Sequence, residues 1–235
     1  MSGETKTVGV IGGLGPAATL DFFDRILKRT KAVRDQDHLR LIIDNNTKVP
    51  DRNAASKGEG ASPGAAIAAS ARGLQDARAD FIVMACNTAH AYENEIKSPI
   101  SVPFLNMVEE TVKVVAELGA KRAGVLAADP CLRANLYQDA LKRVGVEPVL
   151  LSEDSQRTFQ DLIYRIKSGD AGEVVKRSMA TLARKLEAQG AEVLVAGCTE
   201  VPIVLTQDDV EAELVSSTDV LVEKTIVFAG AELKS

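Results

Sequence analysis

Short unbroken apolar runs alternate along the chain with longer stretches in which apolar positions recur every three or four residues. Val8–Ile11, Leu41–Ile43, Phe81–Ala85, Val102–Leu105, Gly124–Ala127, Pro148–Leu151 and Val193–Ala196 have the length and continuity of strands buried on both faces. Ala17–Thr30, Ala65–Ala77, Met107–Leu118, Arg133–Val144, Phe159–Lys167 and Ala171–Ala188 have the apolar spacing of helices packed by one side. Strand–helix alternation of this kind predicts an α/β fold with mostly parallel sheets flanked by helices.

The pattern also repeats. Gly9–Pro16 resembles Gly124–Pro130, with the prolines 130 − 16 = 114 positions apart, and Phe23 and Tyr137 follow at the same offset. Ala79-Asp80-Phe81-Ile82-Val83-Met84-Ala85-Cys86 parallels Ala191-Glu192-Val193-Leu194-Val195-Ala196-Gly197-Cys198, and the cysteines are 198 − 86 = 112 apart. Two segment pairs at nearly one offset predict two similar α/β halves. The first is expected over residues 1–105 together with 214–235, the second over 106–213. Val215–Ala229 has no counterpart in this reading and is expected to be a terminal helix returning to the first half.

Composition narrows the possibilities. The 235 residues suffice for one large domain or two small ones. A formal net charge of −5 gives no basic field for nucleic acid or an anionic membrane. No apolar run approaches the roughly 20 residues that span a bilayer. Met1–Lys6 is short and polar and is not expected to be a signal peptide. Three widely spaced cysteines argue against a disulfide framework and for the reducing cytoplasm. Two histidines and no CxxC pair give poor support for a zinc site.

In open α/β sheets ligands bind beyond the carboxyl ends of the strands. The candidate residues therefore follow the apolar runs: Gly12–Pro16, Asp44–Arg52, Cys86–His90, Ala128–Cys131 and Cys198–Glu200. Cys86 and Cys198 hold equivalent places, each at a strand end before a helix start and each beside hydroxyl or amide donors: Asn87 and Thr88 in one half and Thr199, followed by Glu200, in the other. Backbone N–H groups and a helix dipole there favour an anion, whether a thiolate or a bound carboxylate. If the halves face each other, the paired thiols suit proton removal from one face of a carbon and delivery to the other. Gly12–Gly15 lacks the GxGxxG spacing of dinucleotide loops and reads as a tight turn, with Gly13 letting substrate approach the backbone. His90, one helical turn after Cys86, either polarises a neighbour or caps and packs.

Met84–His90 and Ala196–Val201 resemble the two cysteine signatures of the aspartate/glutamate racemase superfamily. Gly9–Thr19 and Asn45–Arg52 resemble its aspartate racemase branch, so the likeness runs over nearly the whole chain. The resemblance implies two pseudo-symmetric α/β domains with a site at their interface, usually in a homodimer. It implies racemisation of an amino acid, aspartate or another acidic one, without pyridoxal phosphate or metal. By position it makes Cys86 and Cys198 the proton-transfer pair, with Asn87, Thr88 and Thr199 holding the substrate's carboxylate and ammonium. Arg52 would approach the side-chain carboxylate, which a guanidinium fork suits; the alternative is that it caps the turn after Pro50. Lys167 matches a family lysine after a one-residue gap, or is a solvated helix-end charge. One stretch departs from the pattern. Where the family shows two threonines around a glycine, this chain reads Ala128-Asp129-Pro130-Cys131, which puts the acidic substrate in doubt. Cys131 either lines the pocket or is inert. A superfamily relative with another substrate or reaction, and a non-catalytic amino-acid binder, stand as alternatives.

Overall fold

The computed structural model describes residues 5–234. The expectation drawn for the leading segment Met1–Lys6 falls largely outside the described residues. The chain divides into two compact units, one running to Met107 and resuming at Thr218, the other Val108–Ser217.

Unit 1 contains β1 (Val8–Gly12), α1 (Pro16–Arg29), β2 (Leu41–Asn45), α2 (Arg52–Ser56), α3 (Gly64–Asp76), β3 (Phe81–Met84), α4 (Glu93–Lys97) and β4 (Phe104–Leu105). The chain then continues through α5 (Met107–Glu117), β5 (Arg122–Leu126), α6 (Asp129–Arg133), α7 (Leu136–Arg143), β6 (Glu147–Val149), α8 (Glu153–Lys167), α9 (Glu173–Ala188), β7 (Val193–Ala196), β8 (Glu213–Ser216) and α10 (Ser217–Phe228). Both sheets have four parallel strands, in the orders β2-β1-β3-β4 and β6-β5-β7-β8. These are one topology written twice, so the α/β reading with two similar, helix-flanked sheets holds.

The alternation of side chains across a strand explains the apolar runs. In unit 1, Val8, Val10, Phe81 and Val83 point to the layer holding Phe22 and Ile26 of α1 and Leu221, Val222 and Ile226 of α10. Ile11, Ile82 and Met84 point to the opposite layer, against Ile67, Ala71 and Leu74 of α3 and Ile96 of α4. In unit 2, Leu126, Leu194 and Ala196 meet α8 and α9, the latter through Val175, Met179, Leu182, Ala183 and Leu186. One packing detail is copied between the units. A Cβ on Gly9 would lie 3.2 Å from Leu74 Cβ, 2.8 Å from Ala79 Cβ and 3.3 Å from Ile82 Cγ1. One on Gly124 would lie 2.9 Å from Leu186 Cβ, 3.1 Å from Ala191 Cβ and 2.8 Å from Leu194 Cδ2. Each of these partners recurs 112 positions on (186 − 74, 191 − 79, 194 − 82), so one glycine notch seats the end of the helix that leads into the third strand in both units.

Several elements differ from expectation. Glu213–Ser216 is a strand, not the approach to a helix. It pairs with β7 through Leu194↔Leu214, as β4 pairs with β3 through Ile82↔Phe104. The last helix therefore does have a counterpart: α10 follows β8 as α5 follows β4. The expected helix Arg133–Val144 is two helices, broken at Asn135 with φ 52°, a left-handed conformation that asparagine tolerates better than most residues. Helix α8 starts six residues before Phe159, where Ser152 caps it and Glu153 and Asp154 suit the positive end of its dipole. Among the described residues no helix is long and apolar enough to cross a membrane.

Candidate active site

The loops after the strands hold most of the candidate residues. In unit 1 the loop after β1 turns at Gly13, with φ +78°. Its N–H donates to Thr19 Oγ1 at 3.0 Å, and that hydroxyl donates to Gly15 O at 3.1 Å. A Cβ on Gly13 would fall 2.4 Å from the carbonyl carbon of Asn46, so the close approach this glycine permits is that of the loop after β2. That second loop is set by Asn46 Oδ1 accepting from Lys48 N–H at 3.0 Å, and by Asp51 capping α2 through Ala54 N–H at 2.8 Å. Arg52 ties the two loops together. Its guanidinium donates to the carbonyl of Leu14 in the first loop and, at 3.3 Å, to that of Pro50 in the second.

Cys86 stands two residues beyond the end of β3 and is half-buried. Its carbonyl accepts from His90 Nδ1 at 2.9 Å, while His90 Nε2 accepts from Met107 N–H at 3.1 Å. A backbone amide can only donate, so Nε2 is the acceptor and the proton sits on Nδ1. Burial pushes the His90 pKa down to about 4, against the smaller opposing effect of the Cys86 carbonyl. His90 is thus a neutral strut between the Cys86 loop and the start of α5, which favours the capping and packing alternative of the sequence reading. Asn87 is buried and Thr88 partly so.

Unit 2 surrounds its cysteine differently. Cys198 is 8% exposed and its thiol donates to Glu200 Oε2 at 2.9 Å. Thr199 Oγ1 donates to the same oxygen at 3.1 Å. Lys167 Nζ, from the end of α8, lies 3.8 Å from the other carboxylate oxygen. The structure thus brings Cys198, Thr199, Glu200 and Lys167 into one cluster. Burial and the Glu200 charge push the Cys198 thiol well up, while Lys167 and the Glu200 backbone N–H pull the other way. Beneath the loop lies Tyr137, whose Cε2 would be 2.7 Å from a Cβ on Gly197. Its hydroxyl bonds to Ser217 and Thr111, and burial pushes its pKa up.

The departure at Ala128–Cys131 forms the start of α6. Asp129 N–H donates to Gln160 Oε1 at 3.0 Å, and Asp129 Oδ1 accepts from Gln156 Nε2 at 2.8 Å. Gln156 also donates to the carbonyl of Ala127 at 3.1 Å. Cys131 is fully buried. Gln156, Gln160 and Tyr137 were not candidates from sequence. The two glutamines, one helical turn apart on α8, carry no motif, and only the fold shows what they hold. Among the described residues no three His, Cys, Asp or Glu side chains are grouped to hold a metal ion.

The model of the Asp/Glu/Hydantoin racemase family matches residues 11–225. The chain belongs to this family. Within this racemase family, the broad specificity amino-acid racemase RacX of Bacillus subtilis (strain 168) is 30% identical over 230 residues, covering 93% of this chain and 96% of that protein. The structure of Picrophilus torridus aspartate racemase matches with a TM-score of 0.87 at 28% identity, over 97% of this chain and 96% of that one. Glutamate racemase from Francisella tularensis subsp. tularensis SCHU S4, solved in complex with D-glutamate, matches with a TM-score of 0.66 at 17% identity, over 95% and 81%. That last likeness is one of fold.

Proposed function

We propose that this chain interconverts the L and D enantiomers of an amino acid, with Cys86 and Cys198 as the acid–base pair and no cofactor. The observation that carries the reading is the equivalence of the two cysteines: each sits two residues past the end of the third strand of its sheet, in one topology repeated. One thiolate takes the α-proton, and the other thiol returns a proton from the opposite side. The difficult step is forming a carbanion beside a carboxylate, and oriented N–H and hydroxyl donors from Asn87, Thr88 and Thr199 would hold that carboxylate. The names of the relatives support an amino-acid substrate, the family resemblance supports a homodimer, and the three widely spaced cysteines support a reducing cytoplasm. The test is incubation with single enantiomers in D₂O followed by chiral analysis. Deuterium at Cα together with the opposite enantiomer is expected. Activity lost to EDTA and restored by metal, or dependent on added pyridoxal phosphate, would refute the cofactor-free mechanism.

Arg52 supports an acidic side chain on the substrate, since a guanidinium near the loops after β1 and β2 suits a carboxylate. A second reading rests on a specific observation: Arg52 already donates to two backbone carbonyls, and the loop after β5 presents the Asp129 carboxylate where hydroxyls would favour an anion. With Asp129 facing the substrate, that arrangement, together with the broad specificity of the Bacillus subtilis relative, would favour neutral or basic amino acids. Aspartate, glutamate, serine, alanine, lysine and arginine assayed side by side separate the two. Turnover of lysine or arginine with none of aspartate would overturn the acidic reading and leave the two-cysteine mechanism standing.

A further inference from the structure

Only one of the two cysteines has a carboxylate bonded to its sulfur. A thiol and a carboxylate 2.9 Å apart share one proton, either as S–H···O⁻ or as S⁻···H–O. Residue 200 acts on that choice in two opposed ways. Its carboxylate is a negative charge beside the sulfur and an acceptor for the thiol proton, both favouring S–H, whereas its backbone N–H donates to the sulfur and favours S⁻. Thr199 gives its hydroxyl proton to Oε2 and Lys167 lies by Oε1, so the carboxylate is stabilised as an anion on both oxygens. Tyr137 of α7 is a further ionisable neighbour, kept neutral by burial. Cys198 itself is almost wholly enclosed, which further disfavours a thiolate.

We propose that the Glu200 carboxylate, tethered by Lys167, keeps the proton on Cys198 between turnovers and so makes Cys198 the acid of the resting enzyme. This assignment rests on the racemase reading above, and Glu200 is in it a positioning residue for Cys198. In turnover the S–H bond of Cys198 breaks as the new Cα–H bond forms, and the electron pair stays on sulfur. The proton that Cys86 took from substrate is released to water as Cys198 regains one. For the opposite enantiomer Cys198 must first become the thiolate, and Lys167 is the nearby cation that offsets that charge.

The test reads the thiol without any substrate. Alkylation of Cys198 by iodoacetamide is followed by mass spectrometry across pH in the intact protein, and the midpoint of the rate profile reports thiolate formation independently of how accessible the sulfur is. Glu200→Gln keeps the size and a hydrogen-bond acceptor but removes the charge. Its midpoint should fall by about one unit or more, equivalent to a roughly tenfold larger thiolate fraction at a fixed lower pH. Lys167→Met should move the midpoint the opposite way. A purely structural role would not give two shifts of opposite sign. A Glu200→Gln midpoint that stays put or rises overturns the proposal. Should that variant fail to fold, the exposed Lys167→Met decides alone, and an unmoved midpoint sinks the idea. In an active protein, Glu200→Gln should also redistribute KM and kcat between the enantiomers while their kcat/KM values remain equal, as their equal free energies demand. A protein that racemises nothing would refute the racemase reading and leave the alkylation result to stand or fall by itself.

Discussion

The two cysteine loops occupy the same place in the same topology, yet they are held by different chemistry. The Cys86 loop is fixed through its backbone: a neutral His90 reaches from the Cys86 carbonyl to the first amide of α5, and Cys86 itself is only half-buried. The Cys198 loop is fixed through its side chains: the thiol, Thr199 and Lys167 converge on one buried carboxylate. Residues 86 and 198 match at an offset of 112, but Thr88 stands where the second unit has Glu200, and His90 where it has Pro202. A repeated fold fixes where a cysteine stands. Its protonation and rigidity are set by the two or four residues that follow, and these have diverged.

The largest expected effect tests the shared part of the comparison. Cys86→Ser and Cys198→Ser should each reduce racemisation about a hundred- to ten-thousandfold, the range typical of removing one general acid or base, because a hydroxyl is a far weaker base at neutral pH. Chiral chromatography with circular dichroism as a fold control measures this. Near-wild-type turnover in either variant would break the equivalence of the two positions.

A smaller effect tests the likeness of the frames. Gly9→Ala and Gly124→Ala each push a methyl into a leucine, an alanine and a third apolar side chain at matching distances. Each should cost about 1–3 kcal/mol by overpacking, and the two costs should agree within about 1 kcal/mol in urea unfolding. A large cost in one unit and none in the other would mean that the notch is not equivalent.

The frame was legible in the sequence because strands covered on both faces must be apolar throughout, as Val8–Ile11 and Val193–Ala196 are. Strand β8 was not. It is an edge strand with exposed Glu213 at its start, and it runs without a turn into α10. The break at Asn135 was hidden because the residues around it keep helical spacing. The cysteines were legible because the repeat lined them up. Their surroundings were not: the meeting of Lys167 with Glu200 depends on where α8 ends. The bond from Cys198 to Glu200 depends on a side-chain direction that spacing does not report. Arg52 illustrates the same limit, since the sequence gives a cation near a binding loop and the fold alone shows it bonded to Leu14 and Pro50.

The smallest effect concerns the device found only in the first unit. His90 is neutral in the folded protein, with a pKa near 4, whereas an unfolded chain protonates histidine near 6.5. As pH falls below 6.5 the unfolded state binds a proton that the native state refuses, so the unfolded state gains. Stability from this residue is therefore full above pH 6.5, declines as pH drops towards 4, and levels off below that. At pH 5.5 the loss should be about 1 kcal/mol, from one unit of differential titration. Carboxylates also titrate on the acid side, so the residue is best isolated by its own signal. With two histidines in the chain, ring-carbon NMR gives two imidazole signals, and His90→Gln removes one of them. Glutamine can still donate to the Cys86 carbonyl and accept from Met107 N–H, but it carries no proton to gain. That variant should keep most of its stability at pH 7.5 and lose less than the wild type between pH 7.5 and 5.5. A His90 signal titrating near 6.5 would mean that the imidazole is open to water. The strut would then be absent, and the Cys86 loop would lack the backbone brace that sets it apart from its counterpart.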